Sequence, residues 1–244
     1  MHRFFYAHSV VIQQSVDLSA LFHQLYTVLR LQAGAQIVLL DDQGQEFLVE
    51  IQQLTRERAQ GLVLAKQAAS REPAVQLTLY QCSLKADKFE WVLQKGTELG
   101  VACFVPVISE RSIVRPAEAL LKKYTRWQSI LREAAEQCGR GRVPTLATPL
   151  NWLEAVEQAA GLRLLPWEAH ASSAGSLRDY LATQTAATTL NVLIGPEGGI
   201  APAEVELASR AGWQVVSLGA RILRAETAAL ASITLIMANW GELG

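Results

Sequence analysis

Residues 191–200 read NVLIGPEGGI and residues 215–230 read VVSLGARILRAETAAL. Each passes from an apolar strand through a glycine turn into the start of a helix. Glycine after an apolar run lets main chain approach a ligand with no Cβ in the way. Two such turns, one element apart, point to a pocket built from backbone at the C-terminal edge of a parallel sheet.

The chain before them alternates in the same way from residue 73 onward. Strands are expected over 75–83, 101–108, 162–167, 190–194 and 214–218. Helices are expected over 87–99, in a long run opened by Pro116, after Pro202 and over 225–240. Alternating strands and helices define an α/β domain with a mostly parallel sheet. Residues 1 to about 70 are β-rich instead, with strands expected at 4–6, 36–40, 45–53 and 59–66. Asp42-Gln43-Gly44 supplies a hairpin turn, and helical apolar spacing runs from Leu18 to Leu29 with Ser15 or Asp17 placed to cap it. This suffices for a small barrel, and residues 68–74 (AASREPA) form the linker. The expected domains are thus 1–72 and 73–244.

Composition narrows the classes. Half of the 244 residues are hydrophobic and the net charge is −1, so no global field draws polyanions. Residues 111–142 nevertheless hold eight cations against three anions. That segment can meet phosphates, or it can be a solvated helix face. Three isolated cysteines fit reduced thiols, and the four histidines have no metal-site spacing. No metal, no signal peptide and no membrane span is expected, since the longest apolar run, 228–238, is too short to cross a bilayer.

The glycine loops fit neither common nucleotide signature. Gly195-Pro196-Glu197-Gly198-Gly199 lacks the spacing of a dinucleotide fingerprint and the Gly-Lys-Ser/Thr of a phosphate loop. The missing spacing argues against a nicotinamide oxidoreductase. Glu197 repels phosphate but tolerates a sulfonium, an amino group or a ribose hydroxyl. A plain βα connection explains one such loop. The second, with Arg221, Arg224, Glu226 and Thr227 crowded beside it, favours a site.

LIGPEGG followed by LGARILRAETAAL resembles the signature of the RsmE family, the ribosomal small-subunit RNA (uracil-N3) methyltransferases of the SPOUT superfamily. Residues 85–101 (KADKFEWVLQKGTELGV), 110–114 (ERSIV), 133–140 (EAAEQCGR) and the opening Arg3-Phe4-Phe5 are similar to further motifs of that family, in order. The resemblance implies a SPOUT-type parallel sheet with a C-terminal trefoil knot, preceded by a PUA-like barrel. It also implies S-adenosylmethionine as cofactor, 16S ribosomal RNA or the small subunit as partner, a homodimer and a cytoplasmic location.

Carried over to this chain, the resemblance places the cofactor against Leu165, Pro166, Ile194, Gly195, Gly199, Leu218, Gly219, Leu223, Arg224, Thr227 and Ala228. Uracil N3 carries a proton at neutral pH, so its methylation needs a base and a nearby cation. Arg224 is expected to stabilise charge on the uracil carbonyls, Glu226 or Glu197 to assist deprotonation, and Thr227 to position the base or the cofactor carboxylate. The structural alternatives are that Glu226 caps the last helix and that Arg224 pairs with Glu197. Arg3, Lys85, Lys88, Arg111, Arg115, Arg140 and Arg142 are the candidate RNA contacts. Competing functions are a knotted methyltransferase acting on a ribose 2′-hydroxyl or on transfer RNA, and a non-catalytic RNA-binding assembly factor.

Overall fold

The computed structural model describes residues 1–85, 87–113, 116–168, 175–184 and 188–243. The chain forms two compact units, Met1–Glu72 with Ala135–Val143, and Pro73–Ala134 with Pro144–Gly244.

The first unit is a mixed five-stranded sheet. Its strands are β1 (Arg3–Phe5), β2 (Ser15–Asp17), β3 (Gln36–Leu40), β4 (Gln45–Leu54) and β5 (Ala59–Ala68), in the order β1-β3-β4-β5-β2. Only the β1–β3 pairing is parallel. Side chains alternate across a pleated strand, so Phe47, Val49 and Ile51 of β4 share one buried face with Ile37, Leu39 and Val63. The 42–44 turn forms as its residues dictate. Asp42 and Gly44 adopt positive φ, and the Asp41 carboxylate accepts from the amides of Gln43 and Gln45.

The helix expected from Leu18 to Leu29 is instead a 3-10 turn, Ser19–Leu21, and a π-helical stretch, His23–Val28. Asp17, the last residue of β2, does anchor its start, accepting from the Ser19 amide at 2.9 Å, whereas Ser15 lies at the far end of that strand. The apolar spacing is met by two short segments of different pitch, which bring Leu18 and Leu25 into the core. On the other face of the sheet, Phe5, Val38 and Leu40 pack against Ala135, with Val143 beside them. Glu72 fastens that segment by accepting from Arg140 and from the amides of Gly141 and Arg142.

The second unit is a parallel α/β layer. In chain order it contains β6 (Gln76–Cys82), α1 (Asp87–Glu98), β7 (Cys103–Ile108), α2 (Ala117–Leu121), α3 (Tyr124–Cys138, whose last turn belongs to the first unit), β8 (Thr145–Leu146), β9 (Leu150–Asn151) and α4 (Trp152–Gln158). It continues through β10 (Leu162–Pro166), α5 (Leu177–Ala182), β11 (Thr189–Ile194), α6 (Pro202–Arg210), β12 (Gln214–Val216) and α7 (Ala225–Asn239). The sheet runs β12-β10-β11-β6-β7, with β8 and β9 both paired to β7, and every pairing is parallel. Strands covered on both faces read as continuous apolar runs, and in β11 every residue after Thr189 is buried.

The long helix expected from Pro116 breaks into two. Pro116 is the N-cap of α2, and the Lys123 amide then bonds back to Leu120 in a tight turn before α3 begins. Trp127 of α3 stacks on Phe89 of α1 with ring centroids 4.4 Å apart. Gly96 of α1 admits the Phe104 ring, which a Cβ would meet at 2.8 Å.

The strand order sets the site. β11 inserts between β6 and β10, so the carboxyl ends of β10, β11 and β12 lie side by side, with Pro166 opposite Val216. From the β12 edge the chain returns to lay α7 against α1, α5 and β11.

Candidate functional site

The three loops that leave β10, β11 and β12 line one continuous recess. After β11 the chain turns tightly, with the Gly199 amide bonding to the Pro196 carbonyl at 3.0 Å and Gly199 at φ +73. A Cβ on Gly195 would stand 2.6 Å from Ile200 Cγ1, and one on Gly199 would stand 2.6 Å from Glu168 Oε1. After β12, Gly219 adopts φ +107 and its amide donates to Ser217 Oγ. Glycine is required at Gly195 for space, and at Gly199 and Gly219 for backbone conformation.

A cavity of about 290 Å³ opens between these turns, walled by Pro166, Ile194, Gly195, Gly199, Leu223 and Ala228 among others. A smaller one of about 50 Å³ continues past Leu218, Gly219 and Arg221. Of the expected cofactor residues, all but two line these cavities. Leu165 is fully buried behind Pro166, and Thr227 faces a third, larger cavity. That one, of about 600 Å³, lies between the first turns of α1 and α7. Trp91, Gln94 and Ile130 line it together with Arg224, Glu226 and Thr227.

Two residues, Lys88 and Arg224, line both the glycine-walled cavity and the larger one. Neither structural alternative weighed for the polar residues is what forms. Arg224 is the N-cap residue of α7 and its side chain makes no capping bond, and among the described residues Glu226 in the first turn pairs with Lys88 rather than with a helix amide. Glu197 pairs with Lys88, not with Arg224. Lys88 Nζ stands 3.5 Å from Glu197 Oε1 and 3.5 Å from Glu226 Oε1. Among the described residues Arg224 has no ion pair. The second oxygens of Glu197 and Glu226 are buried without a hydrogen-bond partner there. The Lys88 pairing and the cavity lined by Trp91 were not anticipated. The residues concerned are far apart in sequence, and only the packing of α1 beside α7 joins them.

The other basic candidates fall into distinct environments. Arg3 is bonded to Glu46, and Arg140, only 5% exposed, is bonded to Glu72. Lys85, Arg111 and Arg142 are exposed. Arg111 donates to the Gly198 carbonyl at 3.3 Å and so touches the loop after β11, and Arg142 donates to the Gln43 carbonyl. Arg115 lies outside the described residues. Among the described residues no group of three or more His, Cys, Asp or Glu could hold a metal ion, and no helix is long and apolar enough to cross a membrane.

Residues 70–237 match the RNA methyltransferase domain family, and residues 21–64 match the RNA methyltransferase PUA domain. The fold and the recess therefore define an α/β RNA methyltransferase domain joined to a PUA domain. The ribosomal RNA small subunit methyltransferase E of Synechocystis is 35% identical over 97% of this chain and 78% of its own. That of Bacillus subtilis is 31% identical over 88% of this chain and 86% of its own. The Neisseria gonorrhoeae enzyme of the same name, solved with S-adenosyl methionine bound, superposes with a TM-score of 0.87 at 34% identity, covering 98% of this chain and 97% of that one. This chain belongs to the ribosomal RNA small subunit methyltransferase E family.

Proposed function

We propose that this chain transfers a methyl group from S-adenosylmethionine to N3 of a specific uridine in 16S ribosomal RNA, on the small ribosomal subunit. The observation that carries the reading is the junction of two cavities. One is walled by glycines and apolar groups, and the other is lined by the Glu226 carboxylate and by Arg224, which has no ion pair among the described residues.

The residues present fit the cofactor. Pro166, Ile194, Leu218 and Leu223 offer apolar walls to an adenine, and Gly195 leaves space where a Cβ would collide with Ile200. S-Adenosylmethionine bound there supplies an electrophilic methyl carried on a positively charged sulfur. The chain's own groups handle the nucleophile. The Glu226 carboxylate, in the lining of the larger cavity, accepts the N3 proton, and Arg224 at the neck between the cavities offsets charge on the uracil carbonyls. Thr227 lines the cavity that holds Glu226 and is placed to orient the base. A flipped, unstacked uridine is the form that can enter such a recess.

The same reading makes the protein a cytoplasmic homodimer whose C-terminal segment is knotted. Exposed apolar groups near the site, Ile222 at 82% and Trp91 at 43%, support a partner there. The return of α7 from the β12 edge to α1 and β11 is compatible with the knot. The test is methylation of small subunits prepared without the modification, followed by nucleoside digestion. A methyl on uridine N3 is the expected product. A methyl on a ribose 2′-hydroxyl would replace the reading with another knotted methyltransferase, and RNA binding without S-adenosylmethionine binding would replace it with an assembly factor.

A further inference from the structure

Lys88, the second residue of α1, stands between two carboxylates that come from opposite sides of the junction. Glu197 belongs to the loop after β11 on the glycine-walled side, and Glu226 to the first turn of α7 on the side of the larger cavity. The ammonium lies 3.5 Å from one oxygen of each. Glu197 Oε1 is held a second time by the Lys85 amide at 3.2 Å. The remaining oxygen of each carboxylate is buried and, among the described residues, has no hydrogen-bond partner. Buried acceptors normally have partners, so each of these carboxylates lacks a full hydrogen-bond network to fix it, and the shared ammonium is what ties the two together.

The alternative role for Lys88, contact with an RNA phosphate, fits this setting poorly. One cation shared by two anions carries net negative charge, which repels a phosphate, and the Lys88 side chain is only 32% exposed.

We infer that Lys88 is a positioning residue for the methyl transfer, clamping the Glu226 carboxylate in the lining of the larger cavity, where the target N3–H arrives, and tying it to the cofactor-side loop through Glu197. The inference rests on the function proposed above. In the step it serves, the N3–H bond breaks and the proton passes to the Glu226 carboxylate. The electron pair stays on N3 and forms the new N–C bond, while the pair of the broken S–C bond stays on sulfur.

The test compares Lys88→Met and Lys88→Arg with wild type as full chains. It measures single-turnover methylation of small subunits at saturating RNA, S-adenosylmethionine affinity by calorimetry, RNA affinity by anisotropy, and hydrogen exchange at the Lys85 amide. Lys88→Met should keep both affinities within about threefold and slow the saturated turnover by roughly 100-fold, the scale of a mispositioned general base. Its rate should climb more steeply with pH than that of wild type, because solvent base then takes the proton. The Lys85 amide should exchange about threefold faster as its acceptor loosens, and Lys88→Arg should recover most of the rate. Wild-type turnover in Lys88→Met overturns the inference. So does a loss confined to RNA affinity, which would make Lys88 a phosphate contact. A wild type that leaves subunits unmethylated sinks the proposed function itself. The clamp is then judged on exchange alone, and unchanged exchange in Lys88→Met overturns it.

Discussion

At Gly195 a single added methyl would stand 2.6 Å from Ile200 Cγ1, in the wall of the cavity assigned to the cofactor. Gly195→Val should therefore cost both fold and ligand. Overpacking against the buried Ile200 costs about 2 kcal/mol of stability, and a penalty of about the same size for seating the ligand beside the new side chain is roughly a 30-fold loss of affinity. Calorimetric titration with S-adenosylmethionine beside a thermal melt checks this, and unchanged affinity would move the cofactor elsewhere. Cys82 makes a second prediction at this scale. Burial pushes its thiol up to about 12, so in the folded protein at pH 8 it is a protonated, inaccessible thiol. A thiol reagent followed by mass mapping should leave Cys82 unmodified until the chain is denatured. The glycines, Arg224 and Glu226 were legible in the sequence because each sits in a contiguous strand–turn–helix stretch. The part played by Lys88 was not, because its two partners, Glu197 and Glu226, reach it only through tertiary packing.

Elements were legible where pattern and punctuation agreed. Pro202 opens α6, the apolar run before Gly195 is β11, and Asp42-Gln43-Gly44 turns the first hairpin. They were not legible where an element is too short to show a period. β8 and β9 have two residues each, and α4 and α5 are a turn or two long. For α4 a signal did exist. Asn151 accepts from the Glu154 amide at 2.9 Å while the Glu154 side chain accepts from the Asn151 amide at 2.9 Å, the reciprocal pair that Asn-x-x-Glu encodes. Asn151→Ala should lower unfolding free energy by about 1 kcal/mol, read as a shift in denaturant midpoint at constant slope. The capped helix places Trp152, whose indole N–H donates to the Glu204 carbonyl at 3.0 Å. Glu204 in turn accepts from the Glu110 amide at 2.7 Å, next to Arg111 and its contact with the loop after β11. A loss well above that magnitude would mean that the cap is coupled to this chain of bonds.

For the whole molecule, alternation of strands and helices sufficed for a parallel α/β class, but not for the insertion of β11 between β6 and β10. Strand order depends on which crossover passes where, and no local spacing records it. Charge was legible in the same partial way. The sequence supplied seven candidate RNA contacts, and the structure separates the six among the described residues by what each cation already does. Arg3 and Arg140 are bonded to Glu46 and Glu72, and Lys88 is shared by two carboxylates, whereas Lys85, Arg111 and Arg142 are exposed and form no ion pair among the described residues. A cation already neutralised by a carboxylate of the protein releases no counterion from RNA, so only the exposed set should register in the salt dependence of binding. Each phosphate contact to single-stranded RNA contributes about −0.7 to the slope of log K against log salt. Arg111→Gln and Arg142→Gln should each flatten that slope by about this amount. Arg140→Gln should leave it unchanged while lowering the melting temperature, because it strips Glu72 of its guanidinium partner. Anisotropy titrations from 50 to 300 mM salt, roughly the range over which such contacts are screened, separate the two outcomes. A folded Arg140→Gln variant with a flatter slope would show that Glu72 yields Arg140 to the RNA.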